Sequence, residues 1–152
     1  MRSPEQLAVK ILESFAFAQP LSLECYAPHI DLRHDPVVPD FDGVWEREAL
    51  FKHTQTEMAA WHASMPDFRF EKISLVIEAD SIRMQLTLMG TLAGKGAISV
   101  PVRQSYQIAN GVIVGIEAWV DPTKIPDLMG AMAPAGTAAA ASDYTELRQD
   151  RR

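Results

Sequence analysis

Apolar residues recur along this chain in two rhythms, and the change from one to the other divides it. Leu7, Ile11, Leu12 and Phe15 stand three or four apart, the spacing of one helix face. Ser3, Pro4 and Glu5 supply a capping hydroxyl, a proline at the first helical position and an acid near the positive end of the dipole, so a helix starts here. It should stop at Gln19-Pro20, because proline disfavours helix in its predecessor. A short second helix fits residues 21–26, and residues 30–35 alternate apolar and polar as a short strand running into a loop over 36–43. From Val44 to about Met65 there is no proline or glycine, and Leu50, Thr54, Met58 and Trp61 share one face, which predicts a long helix.

After Pro66-Asp67 the stretches 68–79, 82–91, 97–109 and 112–120 are rich in β-branched and aromatic residues. Turn-prone separators divide them, the strongest being Asn110-Gly111, and predict an antiparallel meander of four strands. A last short helix fits 122–129, and the Ala/Pro/Gly tract from 131 predicts a tail over 131–152 attached to one domain over 1–130. Helices first and strands second indicate an α+β fold in which helices cover one face of a curved antiparallel sheet and leave a cone-shaped pocket between.

Composition narrows the function. A chain of 152 residues with 47% apolar and 22% charged residues has room for one core. A net charge of −6 gives no electrostatic footprint for nucleic acid. The single cysteine, Cys25, reads as a small apolar residue in a reducing compartment. No run approaches the ~20 apolar residues that span a bilayer, and the N-terminus lacks a signal-peptide core, so a cytoplasmic protein without membrane contact is expected.

Several short segments carry a resemblance. Tyr26-Ala27-Pro28-His29-Ile30-Asp31-Leu32, His34-Asp35-Pro36-Val37, Met65-Pro66-Asp67-Phe68-Arg69-Phe70, Met89-Gly90-Thr91 with Gly94, Asn110-Gly111-Val112, and Trp119-Val120-Asp121-Pro122 follow in order. Together they resemble the nuclear-transport-factor-two-like superfamily, and within it the SnoaL-like polyketide cyclases and ketosteroid isomerases. The resemblance covers residues 5 to 130 and agrees with the element order read from the patterning.

That resemblance implies candidate chemistry. Asp35 matches the aspartate base of the isomerases' Asp-Pro-Val motif, which moves a proton alpha to a carbonyl; the other reading is a turn opener before Pro36. The isomerases' oxyanion hole has no counterpart, since the first helix offers only Phe15 and Phe17 and the third meander strand reads Val102-Arg103-Gln104-Ser105-Tyr106. Asp121 matches the acid/base aspartate at the end of the cyclases' last strand, or else caps the terminal helix. His34 is the best histidine, because scytalone dehydratase in the same superfamily uses histidines with an aspartate; on a strand, only one of His34 and Asp35 enters a pocket without a bulge. His53 and His62 lie nine apart on the long helix and read as surface or packing residues; His53 with Glu57 at i, i+4 makes a poor metal site. Glu117, Trp119 and Asp121 share a strand face, but the opposite face is apolar too, so alternation leaves the inward side open. The arginine and aspartates of limonene epoxide hydrolases are not matched, because Ala118 holds the last-strand position.

The expected function is a cofactor-independent acid/base enzyme, a cyclase, isomerase or dehydratase acting on an apolar carbonyl-bearing small molecule such as a polyketide or terpenoid intermediate. Asp35, Asp121 and His34 are the expected proton-transfer residues; Trp119, Tyr106, Gln104, Glu117, Phe15 and Trp61 are expected at the substrate. No metal and no cofactor are expected, and a homodimer is, because both faces of the last strand are apolar. The alternative is a ligand-binding or assembly domain of the same fold without catalysis.

Overall fold

The computed structural model describes residues 1–38 and 41–132. Helix α1, Pro4–Ala16, opens with a reciprocal cap: the Gln6 N–H donates to Ser3 Oγ at 3.2 Å and the Ser3 N–H to Gln6 Oε1 at 2.9 Å. It buries Leu7, Ala8 and Ile11. The segment expected as a second helix forms only a single tight helical turn, Leu23–Cys25. Strand β1, Tyr26–Asp35, is longer than the alternation suggested.

The start of the expected long helix is instead a strand. Gly43–Glu46 forms β2 and pairs antiparallel with β1, Ile30 against Trp45. The absence of helix breakers from Val44 onward concealed it. A β-branched and an aromatic residue in sequence favour a strand here. Trp45 is fully buried, and its Nε1–H donates to the Phe41 carbonyl at 2.7 Å. Helix α2 then runs Arg47–Ser64.

The meander is β3 (Arg69–Ile77), β4 (Ser81–Leu92), β5 (Gly96–Ala109) and β6 (Val112–Val120), antiparallel throughout. Asn110 and Gly111 take φ of 53° and 76° in the last hairpin, the left-handed pair that a two-residue turn demands. β1 returns parallel to β6, so the sheet is mixed, in the order β2-β1-β6-β5-β4-β3. Register shifts within β1, β3 and β5 bend it. Two apolar clusters form under the helices, one around Leu7, Ile11, Ile30, Trp45 and Met84, the other around Met65, Phe68, Leu88 and Val100.

A tight turn, Pro122–Lys124, leads into α3, Ile125–Met132, which an ion pair from Lys95 to Asp127 ties to the β4–β5 turn. The expected tail, beyond the first two residues assigned to it, lies outside the described residues. Among the described residues, no helix is long and apolar enough to cross a membrane.

Candidate active site

The cavity follows from two faces meeting. On α2, Leu50, His53, Thr54, Glu57, Met58 and Trp61 recur at three- and four-residue intervals and all turn toward the sheet. On the sheet, alternation aims Ile116, Ala118 and Val120 of β6, Val102, Gln104 and Tyr106 of β5, and Leu86 and Leu88 of β4 at the helices. These faces enclose a cavity of about 530 Å³, closed by α1 at Phe15 and by α3 at Ile125, Leu128 and Met129. That volume suits a small organic molecule, and the walls are predominantly apolar. Among the described residues, no lysine or arginine lines it, so none of them would compensate the charge of a phosphate-bearing group.

Polar groups stand at particular points of this wall. His34 and Asp35, the last two residues of β1, both line the cavity, His34 half-buried and Asp35 exposed at the mouth. His34 shares the inward row of Ala118, whereas Asp35 is in register with Trp119 of the outer row and borders the cavity only at its mouth, where the strand ends before Pro36. Asp42, which does not line the cavity, clamps His34 from behind: its Oδ1 lies 2.5 Å from Nδ1 and its Oδ2 accepts the His34 backbone N–H at 3.1 Å. A carboxylate only accepts, so it assigns the ring proton to Nδ1 and leaves Nε2 able to take a proton.

Across the sheet, His34 pairs with Ala118, and Ala118 with Gln104. The three therefore form one row, with His34 and Gln104 two strand spacings, ~10 Å, apart and only a methyl group between them. Tyr106 donates to Gln104 Oε1 at 2.6 Å, so the Gln104 amide N–H groups remain available as donors. Burial pushes the phenols of Tyr106 and Tyr26 well up, and both stay protonated.

On α2, His53 is buried with its ring 5.2 Å from Phe41 and 5.3 Å from Trp45. Burial pulls it down to about 4, with the nearby His34 adding to the effect, so its imidazole is neutral at physiological pH. Glu57 Oε2 lies 3.6 Å from His53 Nε2, and desolvation in the apolar wall pushes its carboxyl up to about 7. Among the described residues, no group of three or more His, Cys, Asp or Glu is placed to hold a metal ion.

Six of the nine residues singled out in the sequence meet at this cavity: His34, Asp35, Gln104, Tyr106, Phe15 and Trp61. Three do not, and one cause accounts for them. With Ile116, Ala118 and Val120 inward, Glu117 and Trp119 stand on the outer sheet face, Glu117 in a shallow groove with Asp31 and Arg33, Trp119 under the Arg103 guanidinium at 3.9 Å. Asp121 is a cap, not a wall residue: its Oδ1 accepts from the Thr123 N–H at 2.9 Å and from Thr123 Oγ1 at 2.8 Å, bonds that hold its carboxyl below the usual range. The sequence reading missed Asp42, Tyr26 and the inward placement of His53 and Glu57. The α2 residues were discoverable, since they continue the stripe of Leu50, Thr54, Met58 and Trp61; Asp42 carried no signal.

Neither a family model nor a curated protein matches the sequence. Solved structures do match the fold. An NTF2-like protein from Burkholderia thailandensis aligns at TM-score 0.63 and 17% identity over 85% of this chain and 98% of that one. A candidate SnoaL-like polyketide cyclase from Jannaschia aligns at 0.57 and 18% over 88% and 98%. AclR, a candidate hydroxylase from Streptomyces galilaeus, aligns at 0.58 and 16% over 84% and 94%. The chain has the nuclear-transport-factor-two-like fold, and at these identities the likeness is one of fold.

Proposed function

We propose that the protein is a cofactor-independent acid/base enzyme that moves a carbon-bound proton next to a carbonyl in an apolar small molecule, as a cyclase, isomerase or dehydratase does. The observation that carries this is the His34–Asp42 pair, 2.5 Å apart, at the wall of an apolar cavity. Asp42 fixes the tautomer and stabilises the imidazolium that forms, so His34 Nε2 is the base. Gln104, its oxygen occupied by Tyr106, turns its amide N–H toward a substrate carbonyl, and Ala118 leaves the space between base and donor. Phe15 and Trp61 supply apolar walls. Asp35 at the mouth is the other carboxylate near the base. The candidate cyclase among the structural neighbours agrees with this reading. The homodimer expected from the sequence would form on the outer sheet face that carries Trp119.

The α-protons of 2-tetralone, an apolar bicyclic ketone, exchange with D₂O when a base removes them, and proton NMR follows the loss. The wild-type protein should accelerate this exchange. His34→Gln should reduce the acceleration about a hundredfold or more with an unchanged circular dichroism spectrum. Exchange at the wild-type rate in His34→Gln refutes His34 as the base, and the same loss in Asp35→Asn alone transfers the role to Asp35.

A further inference from the structure

The helix that roofs the cavity carries two titratable groups on its inward face. Its inward stripe is Leu50, Thr54, Met58 and Trp61 with two titratable intrusions, His53 and Glu57. Glu57 lies one helical turn beyond His53, and its side chain keeps 30% exposure where it lines the cavity. A carboxylate in such a wall needs a cation or several donors, and the described residues bring neither to Glu57. Among the described residues no lysine or arginine lines the cavity, and His53 Nε2, at 3.6 Å, is beyond hydrogen-bond distance of Glu57 Oε2. His53 is itself packed against Phe41 and Trp45, where a charged ring would be as poorly solvated as the carboxylate.

We propose that Glu57, as a neutral carboxylic acid, is the general acid that faces the His34 base across the cavity. This rests on the acid/base reading above. His34 stands on the sheet and Glu57 on the helix above it, so a flat ketone lying between them meets a base on one side and an acid on the other. His34 Nε2 takes the α-proton; the electrons of that C–H bond form the carbon–carbon double bond, and the carbonyl π pair moves onto oxygen. Glu57 gives its proton to that oxygen. An enol, an imidazolium and a carboxylate result from three neutral groups, and return of both protons, to the original carbon or another, restores the enzyme. The two charges that form are of opposite sign and arise together, so the low-polarity cavity never holds a lone enolate.

Desolvation that raises the Glu57 carboxyl to about 7 supplies the protonated form at working pH. Among the described residues, the other titratable side chains on the cavity wall are Tyr26, His34 and Asp35 from β1, His53 from α2 and Tyr106 from β5, with none from α1 or α3.

Two measurements test the assignment, using the full chain. The first is the infrared difference between wild type and Glu57→Gln at pH ~6, where a protonated-carboxyl carbonyl band should be present in the wild type and missing from the variant. Its absence from the wild type overturns the proposal. The second is exchange of 2-tetralone α-protons. Glu57→Gln keeps the shape and a hydrogen-bond donor but has no proton to give, and should lower the rate about a hundredfold. It should also remove the fall in wild-type rate as pH rises through about 7, a limb that a merely structural residue would not control. A Glu57→Gln variant with wild-type rate and pH profile overturns the acid while a slow His34→Gln leaves the base standing. If His34→Gln also exchanges at full rate, or the wild type shows no acceleration, both readings fall.

Discussion

Glu57 and His53 shift in opposite directions, and the consequence for stability is measurable without any substrate. Unfolded, at a pH near ~5.5, the imidazole carries the proton and the carboxyl does not; folded, the carboxyl carries it and the imidazole does not. Folding therefore passes a proton from one side chain to the other with little exchange with solvent, and the pair alone gives the wild type almost no pH slope between about 4.5 and 6.5. Each member separately gives a steep one. The folded value of Glu57 is raised from 4.5 to about 7, so the native state binds the extra proton and its contribution falls as pH climbs through that window, by about 3 kcal/mol in all. The folded value of His53 is lowered from 6.5 to about 4, so the unfolded state binds the extra proton there and stability rises with pH by a similar amount. Glu57→Gln deletes the first slope and uncovers the second. Urea unfolding followed by far-ultraviolet circular dichroism from pH ~4 to ~8 gives both curves, and subtracting them cancels the carboxylates the two proteins share. Relative to the variant, the wild type should lose about 3 kcal/mol between pH 4.5 and 7 and then level off. Parallel curves, constant in their difference to within about 0.5 kcal/mol, would mean that Glu57 titrates alike in both states, and the desolvation argument fails with it.

Ala118→Leu tests the floor of the site. The added side chain enters the gap between His34 and Gln104, so 2-tetralone binding, followed by ligand-observed NMR, should weaken about tenfold or more while the thermal midpoint holds. Asp121→Asn tests the residue that sequence likeness favoured. The amide oxygen still accepts the Thr123 bonds, so exchange should proceed at the wild-type rate, and a large loss of rate would restore Asp121 to the chemistry.

What could be read from the sequence was set by how local each signal is. The α1 cap, the Asn110-Gly111 turn and the bounds of β6 depend on neighbouring residues, and the structure places them as their chemistry implied. β2 was hidden because its four residues are stabilised by pairing with β1, a contact across roughly a dozen positions or more, from Leu32–Gly43 outward, that no local pattern records. The same limit applies to the site. His34 and Asp35 were visible on a strand that ends in a proline turn, but the partner that gives His34 its direction, Asp42, comes from the loop beyond and acts only through a contact made by folding.

Glu57 illustrates a different limit. A charged residue in a helix is ordinarily on its solvated side, and the i, i+4 spacing from His53 suggested only a poor metal site. The stripe argued otherwise, because positions 50, 54, 58 and 61 fix the inward face and 53 and 57 fall within the same arc. Two titratable side chains on a helix face that is otherwise apolar are costly to bury, and the fold meets that cost by keeping His53 neutral above pH about 4 and Glu57 neutral up to about 7 rather than by joining them as an ion pair. A carboxyl kept neutral beside an apolar cavity is unfavourable for stability above pH ~7 and useful for giving up a proton, so the stability curve and the exchange rate should turn at the same pH. Because one titration governs both, a substitution that moves the turning point of the unfolding curve must move that of the rate with it, and independent movement of the two would separate Glu57 from the chemistry.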